Sequence, residues 1–424
     1  FPAPDWDYAY AVTEHRESIN PRPLDMAAIV RRLQPKAEYG ALTYSEGCND
    51  DVNKCIWSSL LWDPERDVTD ILRDYSRYFI GPPHAEGFAQ GLLALERNWR
   101  SPLISNEGVF STLAQFQEME RSAPPALLTN WRFAQGLYRA YYDAMVRARL
   151  LAETARDQQA LEQLQRARAI GSRVALDAAE AALAQPLVAP AAEWRARVFE
   201  LAEALFQSIQ MQLSVPRYKA ISVDRGANLD LIDSPLTNAP WLKREFEEIR
   251  ALGDENERLT RINEILNWSN PGPGGFYDDL GNVTAQPHLV HHASYAEDPD
   301  FLTTPHAGFV VSRAARRVSS ATYAQTLREQ PLEMHYRGLD KTARYKIRIM
   351  YANETGGTIR LMANDRFEIH PMLQKTHQSR PLDFEIPAEA TTQGELHLTW
   401  TRPSGLGGNG RGVQVAEVWL VRTN

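Results

Sequence analysis

Apolar and polar positions change their rhythm twice along the chain. In residues 1–64 the apolar stretches are short. Ala9-Tyr10-Ala11-Val12 reads as a buried strand ending in the polar cluster Thr13-Glu14-His15-Arg16-Glu17. A two-proline turn, Asn20-Pro21-Arg22-Pro23, leads to Asp25, placed to cap a helix over Met26–Leu33. Tyr39–Tyr44 is strand-like again and ends in Ser45-Glu46-Gly47. Strand, polar loop, helix, strand, polar loop is the order of parallel β/α units. Segments 9–12 and 40–45 are therefore expected as adjacent parallel strands joined by a right-handed crossover.

From about residue 65 to 268 the period becomes 3.6. Asp67 precedes an apolar stripe of Val68, Ile71, Leu72, Tyr75 and Phe79, which Gly81-Pro82-Pro83 ends. Further stripes run through Phe88–Trp99, Val109–Phe116, a long stretch from Ala126 to Ala169, and Val198–Leu213. Beyond the loop signal Asn270-Pro271-Gly272-Pro273-Gly274-Gly275 the period falls to two. Tyr345–Tyr351, Leu382–Ile386, Leu396–Trp400 and Val413–Val421 alternate as half-buried strands do. The expected fold is multidomain. Residues 1–64 form parallel β/α units, a partial α/β fold; 65–269 form an all-α helical bundle; 270–309 form a linker and irregular segment; 310–424 form an antiparallel β-sandwich.

Composition narrows the partners. The chain has 424 residues, 43% hydrophobic and 24% charged, the values of a folded protein of about three domains. With 46 Lys+Arg against 54 Asp+Glu, a net charge of −8, it lacks the basic footprint of a nucleic-acid binder. No uncharged apolar run approaches the ~18 residues of a membrane span. The chain starts at Phe1 without the apolar core of a signal peptide, so a mature form or a piece of a longer protein is expected. Cys48 and Cys55 are its two cysteines, too few for a disulfide scaffold or a Cys-rich metal site. They bridge if the protein is exported and stay free if it is cytosolic.

The richest chemistry lies in Tyr44-Ser45-Glu46-Gly47-Cys48-Asn49-Asp50-Asp51-Val52-Asn53-Lys54. Ligands of parallel α/β folds bind at C-terminal strand ends, which is where this segment is expected. Glu14 would then share one end of the sheet with Glu46, and paired carboxylates of that kind perform sugar hydrolysis. Glu46 and Glu14 are the catalytic candidates. His15, Arg16, Tyr44, Asn49, Asp50, Asp51, Asn53 and Lys54 are the substrate-binding candidates. The bland alternatives are a solvated loop and a surface ion-pair network. Gly405–Gly410 has dinucleotide-loop spacing but is followed by a strand, which makes it a hairpin loop. His288, His291 and His292 have no supporting ligand framework, and Asp278-Asp279 lacks EF-hand spacing, so no metal or cofactor is expected. Trp131, Tyr138, Tyr141 and Tyr142 read as bundle core before sugar platform.

Ile56-Trp57-Ser58-Ser59-Leu60-Leu61-Trp62-Asp63-Pro64, with the helix that ends Tyr75-Ser76-Arg77-Tyr78-Phe79-Ile80-Gly81, resembles large bacterial glycoside hydrolases of the α-glucuronidase type. Those carry a comparable leucine–x–Trp-Asp-Pro passage where a (β/α)8 barrel hands over to a helical domain. The resemblance covers residues 40–100 and implies that residues 1–64 are the last β/α units of such a barrel. It implies a carbohydrate substrate, a hydrolase with its main catalytic carboxylates upstream of this segment, and a pocket-lining role for Glu46 and its neighbours. A periplasmic or secreted location is expected, with cytoplasm as the alternative, and the helical domain is the candidate surface for a homodimer. The competing reading is a non-catalytic carbohydrate-binding or scaffold protein built from a helical domain and a β-sandwich.

Overall fold

A computed structural model describes the chain apart from residues 1–7, 15, 16, 38, 39, 41, 43, 44, 46, 187, 188, 295, 296, 299, 300, 311–314, 353–356, 377–379, 406–412 and 424. Its described residues form two compact units: one within Asp5–Thr154 and Pro186–Leu236, the other within Ala155–Gln185 and Thr237–Asn424. The first is all helix among its described residues. The second joins a few helices to two antiparallel sheets.

The first unit corrects the expectation of barrel strands. Tyr8–Thr13 is an α-helix with Ala9, Tyr10, Ala11 and Thr13 buried. A short apolar run buried on all sides shows no period, and alanine favours the helix. Gly40, Leu42 and Ser45 lie outside any strand, and the rest of 41–44 falls outside the described residues. Strand pairing among the described residues is antiparallel throughout, so the parallel β/α pair is not formed. Asp25 sits inside the first turn of the helix Pro23–Leu33 rather than capping it, and pairs with Arg22.

The remaining helices follow their stripes. Asp67 caps Val68–Phe79 by accepting from the amides of Thr69 (2.8 Å) and Asp70 (3.2 Å). Gly81, at φ +107°, ends that helix in a conformation that favours glycine. Ala85–Arg97, Gly108–Ser122, Trp131–Gln165 and Ala191–Ile209 bury Phe88, Leu92, Phe116, Phe133 and Leu205 in one core. The Phe116 ring fills the space a side chain would need at residues 91 and 136. A Cβ on Gly136 would stand 2.8 Å from its Cε1 and one on Gly91 2.9 Å from its Cζ.

In the second unit ten strands are described: β1 Phe276–Asp279, β2 His306–Phe309, β3 Thr322–Gln325, β4 Leu332–Arg337, β5 Tyr345–Tyr351, β6 Thr358–Ala363, β7 Phe367–Gln374, β8 Leu382–Glu385, β9 Glu395–Thr401 and β10 Gln414–Arg422. One sheet runs β2-β3-β10-β5-β8 with β1 also on β10; the other runs β4-β9-β6-β7. Inward residues of both sheets, among them Ile347, Ile349, Leu361, Leu398, Trp400 and Val418, share one core, the arrangement of a sandwich. β1 and β2 fall inside the stretch expected to be irregular. They are four residues each, too short to show a period.

β10 is buried on both faces from Gln414 to Leu420, and its outer face carries Glu417, fully enclosed. Glu417 accepts from Trp268 Nε1 (2.9 Å), Tyr277 Oη (2.7 Å) and Ser320 Oγ (2.5 Å). Its cross-strand partner is Asp279, whose Oδ1 is buried without a hydrogen bond. Burial first, and then the Glu417 charge, push the Asp279 carboxyl up to about 7, with Arg317 opposing. The folded state thus keeps a proton that the unfolded chain releases near pH 4. That stabilisation is complete at acid pH and is lost as pH rises towards 7. Asp279→Asn should therefore melt higher than the parent protein at pH 8 and no higher at pH 4, in thermal scans at both pH values.

Candidate functional site

Glu14 and the acidic loop do come together, within the all-helical unit, but not as ends of parallel strands. Glu14 follows the helix Tyr8–Thr13 and is wholly buried. Its Oε2 takes Arg139 Nη1 at 2.6 Å and Asn228 Nδ2 at 2.9 Å. Arg139 Nε also faces Asp143 at 2.8 Å, and its Nη1 donates to the carbonyl of Ile19 at 2.8 Å. Asp143 accepts from Asn98 Nδ2 (2.8 Å) and Trp99 Nε1 (2.9 Å). Burial drives the Asp143 carboxyl up to about 7 against the pull of Arg139. A carboxylate so enclosed and paired meets no substrate, and Glu14 belongs to the core.

The loop Gly47–Lys54 is tied to the segment that follows Glu14. Asn49 Nδ2 donates to the carbonyl of Glu17, and Gly226 must be glycine beside it: φ is +84°, and a Cβ would lie 2.6 Å from that carbonyl oxygen. Asn53 accepts from the amide of Arg22 (2.8 Å) and donates to the carbonyl of Asn20 (3.0 Å). Lys54 Nζ closes the loop on the carbonyl of Gly47 at 2.8 Å. Asp50 is half-buried in the turn Cys48–Asp50. Asn49 and Asn53 thus spend their amides on backbone. His15, Arg16, Tyr44 and Glu46 lie outside the described residues. Cys48 and Cys55 are free, both half-buried thiols that burial pushes upwards.

Asp51 opens the helix Asp51–Trp62 and points at the long helix. Its carboxylate accepts from Tyr75 Oη (2.7 Å), Arg132 Nε (2.7 Å) and Arg132 Nη2 (3.3 Å). Burial, and then the hydrogen bond to Asp51, hold the Tyr75 phenol well above its ordinary range, so it serves as a donor. With Asn49, Gln135, Phe88 and Leu92 these groups line a pocket of about 10 Å³, room for one water. Gln135 Nε2 donates to the carbonyl of Cys48 at 3.3 Å and fixes the loop against the pocket.

Aromatic rings surround the outer part of this corner. The Arg132 guanidinium lies between the rings of Phe79 (3.7 Å) and Trp131 (4.0 Å). Tyr78 packs edge-on to Phe79 at 4.7 Å and is 82% exposed. Tyr138, Tyr141 and Tyr142 are buried as the sequence indicates, and Trp131 is partly buried and packs against the same core. Sequence reasoning passed over Arg132, Gln135 and Tyr78. The available signal was a polar row, Arg132, Gln135, Arg139 and Asp143, at helical spacing on an otherwise apolar helix face.

No protein-family model matches the chain, and no curated protein does. A solved structure described as a novel family GH115 4-O-methyl-alpha-glucuronidase with specificity for decorated arabinogalactans is similar at 11% identity and a TM-score of 0.28. The match covers 89% of this chain, and the chain spans 45% of that protein's length.

The Arg139 network has a direct test. Arg139→Met leaves two enclosed carboxylates facing apolar atoms, a loss of about 3–5 kcal/mol. Urea unfolding should show that loss, and adding Glu14→Gln and Asp143→Asn to Arg139→Met should recover most of it.

Proposed function

We propose that the chain is the C-terminal part of a carbohydrate-active enzyme that hydrolyses glycosidic bonds, and that the Asp51–Arg132 corner lies along its substrate path. The observation that supports this is the pairing of an aromatic rim, in which Tyr78 is exposed and Phe79 and Trp131 are partly buried, with a small polar pocket. A sugar ring offers apolar C–H faces and a hydroxyl edge. The faces pack on Tyr78 and Trp131, while one hydroxyl takes the water-sized space lined by Asn49, Asp51 and Gln135. Such a site needs few polar groups if they are held in place, and each of these is anchored by the bonds described above.

The corner binds; it does not cleave. Glu14 is sealed and Asp51 is engaged by three donors, which leaves neither to act as acid or base. The cleaving carboxylates are assigned to the part of the enzyme upstream, with Glu46, just before this corner in sequence, as the contributor from this chain. The same engagement of Glu14 and Asp51 favours, as second reading, a carbohydrate-binding module without catalysis.

Affinity electrophoresis in gels containing neutral or uronic-acid-bearing polysaccharides separates rim from surface. Tyr78→Ala and Trp131→Ala should each weaken retardation about 3- to 10-fold, the worth of one aromatic contact. Trp62→Ala, 92% exposed at the far end of the helix Asp51–Trp62, should not. In an enzyme carrying this segment, Glu46→Gln should lower kcat/KM at least ~100-fold if Glu46 transfers a proton. An unchanged rate there, with binding still dependent on Tyr78, selects the non-catalytic reading.

A further inference from the structure

The outer face of β4 and β9 carries a group of imidazoles and carboxylates, in which His335 Nε2 lies 3.2 Å from Glu395 Oε2. Antiparallel register sets His335 opposite His397, with their rings 6.1 Å apart. Glu333, two residues before His335 on the same face, is approached from both sides. His292 Nε2 stands 2.7 Å from its Oε2, and His397 Nε2 stands 3.7 Å from its Oε1. His292 arrives on a segment laid along β4: Val290 N donates to the carbonyl of Glu333 (2.9 Å), and His335 N to the carbonyl of His288 (2.8 Å). That segment is fixed from below, where the His288 ring stacks on Tyr336 at 4.4 Å and its Nδ1 meets both oxygens of Asp278 at 3.0 Å.

We propose that His292, Glu333 and His397 bind a late first-row divalent cation of the zinc class, with His335 as a fourth ligand. Ligands about 2.0–2.2 Å from a tetrahedral zinc stand roughly 3.3–3.5 Å from one another. The two nitrogen–oxygen separations at Glu333, 2.7 and 3.7 Å, bracket that edge. Among the described residues no three such donors already converge on one point. The cation draws them together by side-chain rotation, for which His292 and His397 have room at 47% and 33% exposure. Two imidazole nitrogens with one carboxylate suit zinc, nickel or copper, whereas calcium and magnesium take oxygen sets.

Isothermal titration of the intact chain with Zn2+ at neutral pH tests this. We expect one saturable site per chain, weakened at least ~10-fold by His397→Ala and by Glu333→Gln, and unchanged by His84→Ala, a histidine of the other unit. Because these side chains are on the surface, near-ultraviolet circular dichroism should stay the same in the variants. The Cu2+ form should show imidazole-nitrogen hyperfine coupling in electron paramagnetic resonance, reduced by His292→Ala. Absence of saturable Zn2+ binding, or equal affinity in the His292→Ala/His397→Ala double variant, overturns the proposal.

Discussion

The guanidinium of Arg139, enclosed between Glu14 and Asp143, is the contact on which the all-helical unit depends. A buried cation needs opposite charge beside it, because one left unpaired costs several kcal/mol; here Nε and Nη1 are matched, while Nη2 has no hydrogen-bond partner. Matching it fixes the chain in sequence. Glu14 and the carbonyl of Ile19 both meet Arg139; Asn49 and Asn53 hang the loop Gly47–Lys54 on residues 17–22. Asp51 then meets Arg132, two turns before Arg139 on the same helix. One polar row on one helix therefore secures both the core and the rim of the proposed sugar site.

The second unit solves the same problem with an acid. Glu417 lies on a strand covered on both faces, and an indole, a phenol and a serine hydroxyl satisfy it. Asp279, beside it across the strands, stays neutral up to near neutral pH because burial outweighs the opposing pull of Arg317. The contrast is physical: a guanidinium cannot shed its charge, so the helical unit surrounds it with acceptors, whereas a carboxyl can take a proton.

How much the sequence disclosed depends on whether a period had room to show. The helix Val68–Phe79 and strands β5 and β9 bury one face or one stripe over seven or more residues, and pattern alone places them within one or two residues. Tyr8–Thr13 is six residues, buried nearly all round, and its apolar text suits a strand as well as a helix. That ambiguity carried Glu14 to a strand end, when its real partner, Arg139, lies 125 residues away. The acidic loop was legible as a polar corner because Asn49, Asp51 and Asn53 are dense in sequence. Arg132 and Tyr78 were not, since each reads as an ordinary surface residue of a helix until Asp51 and Phe79 are placed beside them.

The central claim is that the rim of Tyr78, Phe79 and Trp131 over the Asp51–Arg132 pocket faces a sugar. Saturation-transfer difference NMR on the intact chain with uronic-acid-bearing oligosaccharides reads that contact directly. Irradiating aromatic protons should carry saturation to the ring C–H protons of a bound sugar, and the transfer should fall in Tyr78→Ala and in Trp131→Ala. Transfer that survives both substitutions, or none with any oligosaccharide tried, would contradict the account.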